Sequence, residues 1–307
     1  MMDSLLEYRS CPNCGGDDFD VLFDSNMKAC DFQEGIGTVY MLPGSKYGRH
    51  VKCRNCHLIY VNPIEKASKI NQDYSEMENT GVSIIRESRL RATKSQAQLI
   101  KRYKSGTSLL DIGCGGGFFL FNASKAGYTT KGIELSQDAA AYARKEFGLD
   151  VDAGHFEKSQ LPENCFDVVT LWQVLEHVPY PLMILKEAHR ILKPGGVVAV
   201  STPNIGGAPA RILGRRWWNI RRVHINQFTT ETLRGIFKNA GFKKTSSVSY
   251  WERISLPMLL IPMLRYLRVY EPLKAIFYPS SISGKVMGKI RFIYPSKVDN
   301  CIMLGFK

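Results

Sequence analysis

At 307 residues, 44% hydrophobic and 22% charged, the chain can bury a sizeable core, which excludes a disordered protein and predicts one main domain with a small appendage. The opening MMDSLLEYRS has acids where a secretion signal needs a basic flank, and no apolar stretch reads as a spanning helix, so the expected location is cytoplasmic with reduced cysteines. The net charge of +13 is uneven: residues 203–307 carry 18 Lys and Arg against four acids, so an anionic partner would meet that third.

Residues 1–62 contain Cys11-Pro-Asn-Cys14 and Cys53-Arg-Asn-Cys56, two C-x₂-C knuckles followed by Gly and by His. Four thiolates in that pairing suit a tetrahedral Zn²⁺ in a closed, structural site, with His57 as a competitor to Cys56. Residues 63–105 predict a helical connector. Beyond it, apolar runs alternate with helical stretches as in a βαβ domain. TSLLDI is a strand, FFLFNASKAG a helix, YTTKGIEL a strand, and SQDAAAYARKEFG a helix capped by Ser136 and stopped by Gly148. FDVVTLW is a buried strand, LMILKEAHRILKPGG a helix closed by its Pro-Gly-Gly, and VVAVSTP a strand. TTETLRGIFKNAGF is a last helix and NCIMLGFK a last strand, with an apolar insertion at about 253–292 between them.

The first strand ends in Asp111-x-Gly113-x-Gly115-x-Gly117. A dinucleotide fingerprint would need a third glycine where Phe118 stands, and a P-loop would need Gly-Lys-Ser/Thr. A second acid, Glu134, ends the next strand and can accept from both hydroxyls of a ribose.

The glycine loop, Glu134, LPENCFDVV, VLEHV and ILKPGG follow one another in an order that resembles the class I methyltransferases dependent on S-adenosylmethionine (SAM), over roughly residues 105–245. The resemblance implies an α/β, Rossmann-like fold: a seven-stranded, mostly parallel sheet with an antiparallel last strand, flanked by helices, with SAM at the carboxyl ends of the first strands. It implies that Gly113, Cys114 and Gly115 approach the methionine part, that Asp111 orders the loop, and that Glu134 and Leu135 meet ribose and adenine. Gln173 would neighbour the SAM amino acid. Many members have an acid at the position of His155, and here Phe156 would replace it. A zinc ribbon before such a domain, followed by LIYVNP, resembles a bacterial subgroup associated with sugar and cell-envelope biosynthesis.

On that reading the acceptor lies past the strand ends. His177 and His224 are candidate general bases, with structural histidines as the alternative. GRRWWNIRR offers Arg215, Arg216, Arg221 and Arg222 for phosphates and Trp217 and Trp218 for sugar faces or a bilayer interface. The expected acceptor is a saccharide or lipid-linked glycan, methylated at oxygen, with peripheral contact to an anionic membrane; 253–292 reads as an anchor, a lid or a dimer face. An RNA methyltransferase, a small quinone or phenol O-methyltransferase and a non-catalytic scaffold are the alternatives. Nucleic acid is disfavoured because the cysteine module is net negative.

Overall fold

The computed structural model describes residues 5–28, 31, 46–76, 82–104, 106–255 and 291–307. Cys30 and almost all of the insertion at 253–292 lie outside them.

The cysteine module builds only short strands: β1 (Leu6–Glu7), β2 (Phe19–Phe23), β3 (His50–Cys53), β4 (Ile59–Val61) and β5 (Ile64–Glu65). β1 pairs with β5. β2, β3 and β4 form an antiparallel meander whose fourth strand is supplied by residues 226–227. Helices α1 (Ala67–Ser75) and α2 (Val82–Tyr103) occupy the connector.

From there the predicted alternation is realised: β6 (Ser108–Ile112), α3 (Phe118–Lys125), β7 (Thr129–Glu134), α4 (Gln137–Phe147), β8 (Asp150–Ala153), β9 (Phe166–Trp172), α5 (Pro181–Ile191) and β10 (Leu192–Pro203). Ser136 caps α4 by accepting from Ala139 N, and Gly148 ends it at φ 64°. α5 is shorter than its pattern predicts. It stops at Ile191, and LKPGG already belongs to β10, because Pro194 has no N–H to continue a helix and Gly195 turns at φ 73°. Then come α6 (Ala208–Leu213), β11 (Asn226–Gln227), α7 (Thr230–Asn239), β12 (Lys244–Ser247), β13 (Trp251–Ser255), β14 (Arg291–Pro295) and β15 (Asn300–Phe306). No helix of the described residues is long and apolar enough to cross a membrane.

Seven strands form one sheet in the order β12-β15-β10-β9-β6-β7-β8, with β15 antiparallel to both neighbours and the other pairings parallel. The chain progresses to β7 and β8 on one side of β6 and to β9 and β10 on the other. Loops leaving such a switch point diverge and open a crevice at the carboxyl ends of the strands. Leu109, Val168 and Ile302 sit in the core on one face; Leu110, Val169 and Leu171 sit in the core on the other. That second core continues without a break into Cys11, Val51, Leu58 and Tyr60 of the cysteine module. Burial of each such side chain contributes about 1.5–3 kcal/mol. The appendage therefore shares both a sheet and a core with the main domain.

Candidate active site

β6 delivers Asp111 to the start of a turn through Gly113 (φ 69°), Gly115 (φ 53°) and Gly117 (φ 78°), conformations that side chains resist. A Cβ on Gly113 would stand 2.7 Å from Val174 Cγ2, and one on Gly117 2.9 Å from Ala143 Cβ, so these two let the loop pack on the protein. Gly115 differs: nothing lies within 4 Å of where its Cβ would be, and its backbone borders an opening. Asp111 is buried and accepts from Thr170 Oγ1 at 2.6 Å; burial pushes its pKa up to about 8. Glu134 closes the turn, accepting from Gly115 N at 2.7 Å and from Ser136 N at 2.9 Å. Burial raises its pKa and those N–H groups oppose the rise. Asp111, Gly113, buried Cys114, Gly115 and Glu134 thus come together at one place.

Leu135, Phe156 and Gln173 stand on the loops that leave β7, β8 and β9 at the same edge of the sheet. Phe156 is buried in a single helical turn. Gln173 has left-handed backbone (φ 59°) and donates through Nε2 to Ser201 Oγ at 3.0 Å and Asn300 Oδ1 at 3.2 Å.

Past β9, the segment Leu175–Val178 is clamped by two side chains. Asn226 donates through Nδ2 to Leu175 O at 2.9 Å and Val178 O at 2.8 Å. Arg9, from the cysteine module, donates to Pro179 O at 2.6 Å, Ile225 O at 3.0 Å and Asn226 Oδ1 at 3.0 Å. Ile225 N also donates to Glu176 O at 2.8 Å. The clamp sets His177 and His224 edge to face, ring centroids 4.7 Å apart.

Each imidazole is oriented by a main-chain carbonyl. Val223 O lies 2.8 Å from His177 Nδ1, and Asn219 O 3.0 Å from His224 Nδ1; a carbonyl only accepts, so both Nδ1 atoms carry the proton. Tyr74 Oη adds a 2.6 Å contact to His177 Nδ1. His224 Nε2 accepts from Arg221 Nε at 2.9 Å and Nη2 at 2.6 Å. His177 Nε2 faces Glu176 Oε1 at 3.9 Å. Burial pushes Glu176 up to about 7; burial and the Arg221 charge push His177 down to about 3 and depress His224 strongly. The neutral His177 imidazole, beside a carboxyl that titrates near neutrality, can take a proton from a hydroxyl through Nε2, whereas His224 Nε2 is already occupied by Arg221. Glu176 is 1% exposed, with the Thr202 hydroxyl and its own main chain beside the carboxyl. Sequence reading found the two histidines but passed over Glu176, visible in the same VLEHV, and over Arg9 and Tyr74, which no motif marks.

The Arg/Trp stretch does not form one surface, contrary to its expected role. Trp217 is 1% exposed and packs with Tyr47, Ile220 and Ala210. Arg222 makes a bidentate pair with Glu65, both distances 2.7 Å, and ties the loop to β5. Arg221 belongs to the histidine cluster. Arg215, Arg216 and Trp218 remain exposed.

The four knuckle cysteines converge, their Sγ atoms all within 4.8 Å of one another, with Cys11–Cys56 at 3.4 Å and Cys14–Cys53 at 3.5 Å. Gly15 (φ 73°) and His57 (φ 61°) provide the left-handed turn after each pair, and their N–H groups donate back to Cys11 O and Cys53 O. Four thiols around one point are the donor set of a tetrahedral ion, and sulfurs 2.3 Å from a central zinc would stand roughly 3.8 Å apart.

A family described as a methyltransferase domain matches residues 84–247, more than half of the chain. The chain belongs to that family. Ubiquinone biosynthesis O-methyltransferase of Pseudomonas paraeruginosa is 39% identical over 106 residues, 33% of this chain and 46% of the relative. The protein of the same name from Nitrosococcus oceani is 38% identical over 106 residues, 33% and 45%. The chain spans about half the length of these curated relatives. A SAM-dependent methyltransferase from Archaeoglobus fulgidus has the same fold, with a TM-score of 0.51 at 18% identity over 74% of this chain and 97% of that one. In this member of the family the open Gly115 backbone and the acid ending β7 fit a SAM cradle, while buried Phe118 occupies the place where a dinucleotide fingerprint needs glycine.

Proposed function

We propose that this methyltransferase O-methylates a small hydroxylated molecule, with SAM at the Gly113–Gly115 turn and the acceptor against Glu176, His177 and His224. SAM supplies a methyl group on a sulfonium that is already activated. The protein's task is alignment and removal of a proton. Asp111 and Glu134 shape the turn, and Leu135, Phe156 and Gln173 complete the cofactor side. His177 Nε2 takes the hydroxyl proton, Val223 O and Tyr74 hold the ring, and Glu176 balances the resulting imidazolium.

The observation that carries this reading is the pair of Nδ1-protonated imidazoles at the carboxyl end of β9, with the buried Glu176 carboxyl 3.9 Å from His177 Nε2. The relatives' names favour a small acceptor. A saccharide or lipid-linked glycan is the second reading, because a cluster rich in hydrogen-bond acceptors also suits a polyol. Its membrane contact rests on the charge of residues 203–307. The cysteine set holds structural zinc; metal analysis should find one zinc per chain, lost in Cys53→Ser.

Labelled SAM offered with phenols, catechols, saccharides and RNA tests the assignment. A methyl ether of a small hydroxyl compound is expected. Labelling of RNA, or of nitrogen alone, would contradict it.

A further inference from the structure

We propose that Arg9, in the cysteine module, is a positioning residue for methyl transfer: by holding the loop before β11 against the segment after β9, it keeps the proton of His177 on Nδ1 and leaves Nε2 as the base. This rests on the methyl-transfer reading above and adds to it which contact keeps the base in its working form.

His177 Nδ1 has two competing partners, Val223 O at 2.8 Å and Tyr74 Oη at 2.6 Å. A carbonyl can only accept, so contact with Val223 puts the proton on Nδ1. A phenol hydroxyl can donate as well as accept, so contact with Tyr74 alone permits the opposite arrangement, with Nδ1 bare and the proton on Nε2. Only the first arrangement leaves a lone pair on Nε2 for the proton of an acceptor hydroxyl. The form of the base therefore depends on how closely Val223 is kept to His177.

Arg9 is placed to keep it there. Its guanidinium donates from Nη1 to Pro179 O at 2.6 Å, two residues after His177, and from Nη2 to Ile225 O at 3.0 Å, two residues after Val223. Nη2 also donates to Asn226 Oδ1 at 3.0 Å, and Asn226 Nδ2 donates to Leu175 O and Val178 O on either side of His177. The fork is itself anchored. Nε donates to Val61 O at 3.3 Å, Cζ stands 5.4 Å from the centre of the Tyr60 ring, and the Arg9 main chain exchanges two bonds of 3.1 Å with the Asn62 side chain. Tyr60 pairs with Asn226 where β11 joins the small sheet. One planar group thus ties the carbonyls of Val61, Pro179 and Ile225 at fixed angles, which an ammonium group does not do. Cys11, a member of the four-thiol cluster, lies two residues on and ties the start of the fork to that cluster.

NMR of the imidazole nitrogens in histidine-labelled protein, with the His177 signals assigned from His177→Gln, reads the tautomer apart from any activity. Wild type should show Nδ1–H at His177. Arg9→Lys should shift the population toward Nε2–H and lower kcat about tenfold or more, while acceptor KM, zinc content and S-adenosylhomocysteine affinity stay within about threefold. Adding Tyr74→Phe removes the competing donor, so the double variant should regain Nδ1–H and part of kcat. A His177 that keeps Nδ1–H in Arg9→Lys, or transfer that falls only in step with zinc or S-adenosylhomocysteine binding, overturns the inference. Wild type with Nε2–H at His177 overturns it too. If Arg9→Lys flips the tautomer but wild type makes no methyl ether of any hydroxyl compound, the functional reading falls and the tautomer clamp stands.

Discussion

The two sides of the crevice are built by different means. The proposed cofactor side is made by residues close in the chain: one strand, one glycine turn and one acid on the neighbouring strand, all at one sheet. The proposed acceptor side is assembled from three distant pieces: α1 with Tyr74, the segment after β9 with Glu176 and His177, and the loop before β11 with Arg221 and His224. Arg9 and Asn226 hold these pieces together. A side made by local sequence is defined by its backbone conformation. A side made by tertiary contact can be altered one side chain at a time.

The largest effect should come from the local side. Gly113→Val places a side chain against Val174 at φ 69°, and S-adenosylhomocysteine affinity, followed by calorimetry, should fall by about two orders of magnitude or more, along with all transfer. If Gly113→Val binds normally, the turn is not the cradle.

On the other side, His177→Ala should lower kcat by about 10²–10⁴-fold with S-adenosylhomocysteine affinity unchanged. The wild-type kcat/KM should rise with pH through about 7, where Glu176 gives up its proton, and Glu176→Gln should flatten that limb. A profile that falls with rising pH would remove the pair as the proton acceptor.

Stability should separate the two sides less sharply. The folded-state pKa of His50, pushed down by burial to about 4, and that of His177, pushed down to about 3, lie below the unfolded value near 6.5. Their contribution is complete above pH 6.5 and is lost as pH falls toward those values. Each ring can cost up to roughly 1.4 kcal/mol per pH unit in that window. Glu176, raised by burial, has the opposite sign and offsets part of the loss below pH 7. Asp111, also raised by burial, adds to that offset, so urea unfolding at pH 7 and pH 5 should show His50→Phe gaining stability relative to wild type at the lower pH. The smallest effect is expected at Trp218, part-exposed on the surface, where alanine should change unfolding free energy by less than about 0.5 kcal/mol.

The same contrast explains what could be read from the sequence. The glycine turn, Glu134 and the Ser136 cap are encoded by neighbours in the chain, the seven-stranded sheet with its antiparallel last strand was implied by the resemblance to class I methyltransferases, and the structure shows all of them. β8, β11 and β12 lack a run of apolar residues and exist because a neighbouring strand pairs with them, so no local pattern announced them. The Trp217 indole and the Arg222 guanidinium looked like ligand-binding groups, but their surroundings turn them inward, onto Tyr47 and Glu65.

Removing the metal from the cysteine cluster and measuring both sides in one preparation is the most direct test. Because Arg9, which holds the histidine cluster, belongs to the module that the four cysteines organise, chelation should abolish methyl transfer while S-adenosylhomocysteine affinity stays within about threefold, and restored zinc should restore transfer. Transfer that survives the loss of metal, or cofactor affinity that disappears with it, would contradict the division of the crevice into a sheet-built cofactor side and a module-built acceptor side.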